Sequence, residues 1–247
     1  MRARERQDEI LKLLARTDRL EVAELTQTFG VSEMTIRRDL AKLQGEGVLR
    51  RVHGGAVRHE RSPFETRTVR FAAEKQRIAK RAAEFIGDGE SVAIDTGTTA
   101  HYVARELRSR TDLVVVTNSV NVAVEFRATP NKVLLTGGVL VPELCLVGSF
   151  ALDALRRLHV NTLVLGCGGM TPERGLTYFD IEETEVRRSM VEIADRIVVV
   201  MDHSKFGRTE TVALAAISEI DVLVTDRRPP AAIEQVCRRH EVEVVVA

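Results

Sequence analysis

Residues 91–100 read Ser91-Val92-Ala93-Ile94-Asp95-Thr96-Gly97-Thr98-Thr99-Ala100. The first five form a short apolar run suited to a buried strand, and the last residues open a helix-like segment. Gly97 between them lets backbone approach a ligand closely. Thr98 and Thr99 place hydroxyls beside the free N–H groups of a helix N-terminus, a combination suited to an anion and best to phosphate. Most turns of this kind are plain helix caps, so the surrounding sequence decides the reading.

Outward from that turn the same alternation continues. Apolar, β-branched runs at 91–95, 113–117, 132–136, 161–166, 196–201, 222–225 and 242–246 alternate with helix-like segments at 100–107, 120–126, 150–158, 182–194 and 231–239. Near-continuous apolar strands separated by helices imply a buried, mostly parallel sheet covered on both faces, a Rossmann-like α/β domain. Residues 212–217 are an eighth candidate strand. Ligands of such sheets bind outside the carboxyl ends of the strands. The polar or small residues expected there are Asp95, Gly97, Thr98, Thr99, Asn118, Ser119, Gly138 and Gly166, with Lys205 as a cation for a phosphate or a sugar oxygen. Taken alone, a lysine such as Lys205 is usually a surface lysine.

The N-terminal part has a different period. Ile10, Leu13 and Leu14 mark a helix from about Arg4 to Ala15, with a break at Thr17-Asp18-Arg19. Val22, Leu25 and Phe29 mark a second helix ended by Gly30. Ser32 can cap a third, whose apolar stripe is Ile36, Leu40 and Leu43. Residues 48–57 alternate as a small hairpin with Gly54-Gly55 at or near its turn. This is a helix-turn-helix followed by a wing. The third helix would offer its N-terminal end to a major groove. Ser32, Thr35, Arg37 and Arg38 lie there, an arginine suiting either a guanine edge or a phosphate. Arg50, Arg51, His53 and Gly54 of the hairpin would grip backbone or minor groove. The plain alternative is a solvated basic face on a three-helix domain.

Residues 58–63 are polar and end in Ser-Pro, as in a linker, and 64–86 read as one long helix. The expected domains are therefore 1–57, a linker and connecting helix at 58–86, and an α/β domain at 87–247. Net charge is zero over 247 residues, with 36 Lys+Arg against 36 Asp+Glu. The first 62 residues carry +3 and the rest −3, which leaves room for a basic module on a mildly acidic one. A hydrophobic fraction of 44% with 29% charged residues excludes a wholly disordered or fibrous chain. No apolar stretch approaches the ~18 residues of a membrane span, and residues 1–9 lack the apolar core of a secretory leader. A cytoplasmic protein with no membrane partner is expected. Cys145, Cys167 and Cys237 are too scattered for a disulfide framework or a zinc site, and neither metal nor cofactor is expected.

Val31-Ser32-Glu33-Met34-Thr35-Ile36-Arg37-Arg38-Asp39-Leu40, followed by Leu49-Arg50-Arg51-Val52-His53-Gly54-Gly55-Ala56, resembles the winged helix-turn-helix signature of DeoR-type bacterial transcriptional regulators. The likeness extends over nearly the whole chain. Asp95-Thr96-Gly97-Thr98-Thr99, Thr117-Asn118-Ser119, Gly137-Gly138 and Asp202-His203-Ser204-Lys205-Phe206-Gly207 look like the sensor domain of that family. The resemblance implies a fold similar to ribose-5-phosphate isomerase and a phosphorylated sugar or sugar metabolite as effector. It also implies that the Thr-Gly-Thr-Thr loop holds the phosphate while Asp95, Asn118 and Lys205 face the sugar.

The expected function is a DNA-binding regulator, a repressor of sugar-metabolism genes released from double-stranded operator DNA by its effector. A homo-oligomer is expected because such proteins read repeated half-sites through their own symmetry. The alternative is a sugar-phosphate isomerase or deaminase with an accessory DNA-binding domain. Isomerisation needs a positioned carboxylate as general base. Residues 166–170 read Gly166-Cys167-Gly168-Gly169-Met170 where those enzymes carry acids, so no catalytic residue is assigned. An effector-free architectural DNA binder is a third reading, disfavoured by the phosphate loop and Lys205.

Overall fold

A computed structural model describes residues 2–17, 19–45, 49–52, 54–58 and 64–247, in two compact units, 1–72 and 73–247. The first contains α1 (Ala3–Arg16), β1 (Arg19–Glu21), α2 (Val22–Phe29), α3 (Glu33–Gly45), β2 (Leu49–Val52), β3 (Gly55–Arg58) and α4 (Phe64–Val69). Ile10 and Leu14 of α1, Leu25 of α2, and Ile36, Leu40 and Leu43 of α3 meet in one buried cluster with Leu49 and Ala56 of the wing. The spacing of three to four residues along each helix puts these side chains on one face, and their burial drives the packing.

The stretch expected to be a break supplies β1, which pairs antiparallel with β3 to make a three-stranded wing in the order β1-β3-β2. Three residues are too few for a periodic signal. The two wing glycines serve different needs. Gly54 takes a φ of +79° at the turn. Gly55 allows close approach, since a Cβ there would lie 2.1 Å from the Leu20 carbonyl oxygen of β1.

The long helix expected at 64–86 is two helices. α4 stops at Val69 and α5 (Ala72–Ala83) begins after Phe71, whose φ is +50°. Thr66, Thr68 and Val69 are β-branched and weaken the first segment. The Thr68 hydroxyl also donates back to the Phe64 carbonyl at 2.8 Å, competing with the helical pattern. The division between the two compact units falls just beyond this break, at residues 72 and 73.

The second unit continues with β4 (Ser91–Ile94), α6 (Thr98–Leu107), β5 (Val114–Thr117), α7 (Val120–Glu125), β6 (Lys132–Leu135), the hairpin β7 (Val139–Val141) and β8 (Cys145–Val147), and α8 (Ser149–Leu155). It is completed by β9 (Val160–Leu165), β10 (Gly169–Thr171), β11 (Gly175–Tyr178), α9 (Ile181–Glu192), β12 (Ala194–Val200), β13 (Val212–Ala215), β14 (Val222–Thr225), α10 (Ala231–Arg239) and β15 (Glu243–Val246). Seven strands form one parallel sheet in the order β15-β14-β12-β9-β4-β5-β6. These are the seven apolar runs of the sequence, each within two residues of its expected limits. The eighth candidate, β13, joins β10 and β11 in a separate antiparallel sheet. In the parallel sheet the chain moves from β4 outward to β6, then returns to β9 on the other flank of β4. The direction of strand order therefore reverses between β4 and β9, the place where open α/β sheets bind ligands.

One buried ion pair fixes the third helix against the first. Asp39, 4% exposed, accepts from Arg6 Nε at 2.6 Å and from Gln7 Nε2 at 2.8 Å. Removing one partner of a buried pair leaves the other uncompensated, at a cost of about 3–5 kcal/mol. Asp39→Ala is expected to lower the unfolding free energy of residues 1–72 by about that amount in a urea titration, whereas Arg6→Met with Asp39→Leu should recover most of the loss.

Candidate functional site

On the N-terminal unit, Ser32 caps α3 as its sequence position suggests. Its Oγ accepts from the Thr35 N–H at 3.3 Å and lies 3.0 Å from the Thr35 hydroxyl. Arg37 and Arg38 are exposed, and Arg37 pairs with Glu33 one turn away, at 3.3 Å. Such an exposed pair is worth well under 1 kcal/mol and is readily given up to another anion. Arg51 is exposed on β2, and its N–H donates to the Gln44 side chain of α3 at 3.3 Å. Gly54 forms the turn. His53 and the side chain of Arg50 lie outside the described residues. The sequence reading left out Met34, which is 68% exposed on the first turn of α3. Its signal was available: an apolar residue between Glu33 and Thr35, off the Ile36 stripe.

At the carboxyl edge of the parallel sheet, the loops after β4 and β9 face one another. Gly97 and Gly166 pack together there. A Cβ on Gly166 would stand 3.1 Å from Asp95 Oδ2 and 3.7 Å from the Gly97 Cα. These glycines permit contact between the two loops. Gly138 is similar, since a Cβ on it would lie 2.5 Å from the Val147 carbonyl oxygen.

Asp95 follows β4 and is committed to internal partners. It is 1% exposed and does not present a free carboxylate to a sugar. Oδ2 accepts from the Gly166 N–H at 3.1 Å, and Oδ1 accepts from the Thr96 N–H at 2.6 Å. Arg187 of α9 is the main partner that the sequence reading missed. Its Nε stands 2.9 Å from Asp95 Oδ1, an ion pair in which the N–H is not aligned as a hydrogen bond. Nη2 donates to Thr96 Oγ1 at 2.5 Å, and Nη1 donates to the Glu183 carbonyl at 3.0 Å and its carboxylate at 3.2 Å. The guanidinium lies 3.7 Å from the centroid of the Tyr178 ring. Burial disfavours the charge on Arg187, but Asp95, Tyr178 and Glu183 outweigh that and raise its pKa.

Thr98 and Thr99 begin α6 and are both buried, next to the unbonded N–H groups of its first turn. Ser119 caps α7, its Oγ accepting from the Val122 N–H at 3.3 Å. Asn118 is 1% exposed; its Nδ2 donates to the Leu146 carbonyl of β8 at 3.0 Å. Its Oδ1 has no partner, and neither has the buried Nδ2 of Asn121 one turn along α7. Thr225 Oγ1, at the end of β14 on the same sheet edge, is also buried without a partner. Unsatisfied buried polar atoms are rare, and where they gather they mark sites that bind water or ligand.

Lys205 sits half-buried in a short 3-10 turn, His203–Lys205, that follows β12. Burial pushes the Asp202 carboxyl up, but Lys205, Ser204 and Lys75 hold it below the ordinary carboxylate value. His203 Nδ1 lies 2.7 Å from Asp226 Oδ2, linking the ends of β12 and β14. Cys167, at the end of β9, is a poor nucleophile, because burial pushes its thiol up to about 12. A surface cavity of about 530 Å³ lies elsewhere, between α9, α10 and β13, and contains none of these residues. Among the described residues no group of three His, Cys, Asp or Glu is placed to hold a metal, and no helix is long and apolar enough to cross a membrane.

The profile described as "DeoR-like helix-turn-helix domain" matches residues 6–62, and that of the "DeoR C terminal sensor domain" matches residues 70–227. The HTH-type transcriptional regulator GolR of Listeria innocua is 34% identical over 230 residues, covering 91% of both chains. The glycerol-3-phosphate regulon repressor of Escherichia coli is 33% identical over 249 residues and 99% of both chains. Ribose 5-phosphate isomerase from Plasmodium falciparum aligns over 56% of this chain and 53% of its own, with a TM-score of 0.40 and 14% identity. The chain belongs to the DeoR family of DNA-binding transcriptional regulators.

Arg187→Met would leave Asp95 and Glu183 buried without the cation they share. The expected loss is about 3–5 kcal/mol in the unfolding free energy of the α/β domain, measured by denaturant titration. Asp95→Asn combined with Arg187→Met should cost less than the sum of the single changes, the mark of a coupled pair.

Proposed function

We propose that this protein is a repressor that leaves its operator when a phosphorylated sugar or polyol binds the carboxyl edge of the parallel sheet. The observation that carries this reading is the buried, unpartnered Oδ1 of Asn118, which follows β5, the strand paired with β4, whose own following helix opens at Thr98. A phosphate on Thr98 and Thr99 would take up the free N–H groups and meet the favourable end of the helix dipole. Asn118 Oδ1 would accept from a hydroxyl of the same molecule. Lys205 would supply the balancing cation. Asp95, Gly97, Gly138, Gly166 and Ser119 hold the loops in shape. The 33% identity to a glycerol-3-phosphate regulon repressor supports a small phosphorylated polyol as the class.

The same reading makes the protein a cytoplasmic regulator and not an isomerase, since the loop at 166–170 contains no carboxylate to serve as base. Operator DNA would be read by Thr35, Arg37 and Arg38 from α3, positioned by Ser32, with Arg50, Arg51, His53 and Gly54 of the wing against the backbone or minor groove. For the effector to release DNA it must bind the two states of the protein with different affinity.

Two measurements test these assignments. Arg37→Ala or Arg38→Ala should cost about 1–3 kcal/mol on the cognate operator and relax discrimination at one base pair, read by competition binding at several salt concentrations. If both variants bind like wild type, α3 is not the reader.

The second measurement is calorimetry with a panel of sugar and polyol phosphates and their unphosphorylated counterparts. Thr98→Val with Thr99→Val should abolish effector binding while operator affinity stays within about threefold. Lys205→Met should weaken the effector at least tenfold, about 1.4 kcal/mol. Equal affinity for phosphorylated and unphosphorylated forms would remove the phosphate site.

A further inference from the structure

Among the described residues of the first unit, two large apolar side chains are exposed, Val69 on α4 and Met34 on the first turn of α3. A single exposed apolar residue is ordinary on a protein surface. Met34 differs by its place. At 3.6 residues per turn, positions 34, 37, 38 and 41 fall along one stripe of α3, and Met34, Arg37, Arg38 and Ala41 are all exposed. Ile36, Asp39, Leu40 and Leu43 are buried on the opposite side. The methionine therefore heads the stripe that carries both arginines, at the end of a recognition helix that reaches base edges.

The polar side chains around it already have partners within the helix. Thr35 is half-buried, and its hydroxyl lies 3.0 Å from Ser32 Oγ. Glu33 pairs with Arg37 at 3.3 Å. Met34 brings an unbranched, polarisable thioether that adapts to irregular apolar surface. Ala41, farther along the stripe, is too small to hold the helix away from a groove.

We infer that Met34 is a specificity residue that reads the C5-methyl group of a thymine in the major groove. Thymine alone among the four bases presents an apolar group at its major-groove edge; the others present donors and acceptors that a thioether satisfies poorly. Closing the methionine over that methyl removes both from water, a gain that phosphates and the other bases do not offer. Arg37 and Arg38, on either side of the stripe, would take guanine edges or phosphates beside it. The inference rests on the reading that α3 enters the groove, and adds to it a base recognised without charge.

Replacing a thymine by deoxyuridine removes the methyl and leaves the base pair, so it tests the contact directly. The full chain first selects its operator from random-sequence duplex. Each thymine of the selected site is then replaced in turn, and affinities are read by competition anisotropy. Wild type should lose about fourfold at one thymine or more of a half-site, about 0.8 kcal/mol. Met34→Ala should bind the thymine operator about fourfold more weakly and be indifferent to uracil at that place. Met34→Leu should keep the discrimination. The quantity read is the coupling between side chain and methyl, so any change in the stiffness of the DNA cancels. A site selected without thymine, a wild type indifferent to uracil throughout, or a Met34→Ala protein that keeps the wild-type response would each overturn the proposal. Arg37→Ala and Arg38→Ala on the same duplexes keep the two readings apart. A loss in either with no response to uracil strikes Met34 alone, and no loss in either with no response to uracil removes α3 as the reader.

Discussion

The α/β domain depends on one buried cation. Arg187 reaches from α9 to the loop after β4, and through Asp95 that loop is tied to the N–H of Gly166 after β9. A guanidinium has five donors in a fixed plane and stays charged at any accessible pH, so it can satisfy several groups at once where a lysine could not. Here it serves a threonine hydroxyl, a main-chain carbonyl and two carboxylates, and it covers the face of Tyr178. Two loops that meet at the reversal of strand order are thereby fixed. The first turn of α6 follows directly on the loop that is fixed in this way.

The sheet was legible because its signal is coarse. Runs such as Val114-Val115-Val116 or Ile197-Val198-Val199 suit only a strand buried on both faces, and a parallel sheet needs every one of them. Elements of three residues, such as β1, β7 and β10, carry no period and are fixed by partners distant in sequence. The break at Phe71 was hidden for a related reason: a left-handed residue other than glycine or asparagine has no compositional mark.

The candidate site was legible in part. Position after a strand correctly located Asp95, Gly166 and Lys205 at one edge, but position does not say which way a side chain is committed. Asp95 looked like a ligand-facing acid because its partner stands 92 positions away on a helix whose sequence, Glu183 to Arg187, resembles any salt-bridged surface turn. Asn121 was passed over for the opposite reason, since one asparagine in an otherwise apolar helix start reads as a capping neighbour. On the DNA-binding unit, Asp39 belonged to the motif that carried the resemblance, and its role is internal: it fixes α3 to Arg6 while the arginines before it stay exposed.

The sheet order also governs how the domain is made on the ribosome. β4 can pair with β5 almost as soon as both emerge, but its other edge waits for β9. The hydrogen bond from Gly166 to Asp95 joins residues 71 apart, and that from Arg187 to Thr96 joins residues 91 apart. At 5–20 residues per second, the loop after β4 remains unclasped for roughly 4–18 s of synthesis, with a flank of the central strand open. The clasp between the loops after β4 and β9 is thus completed well after β4 itself is made, although Thr98 and Thr99 belong to the helix directly following that strand. A nascent chain halted before residue 187 would have four of the seven parallel strands and no cation to clasp the loop after β4.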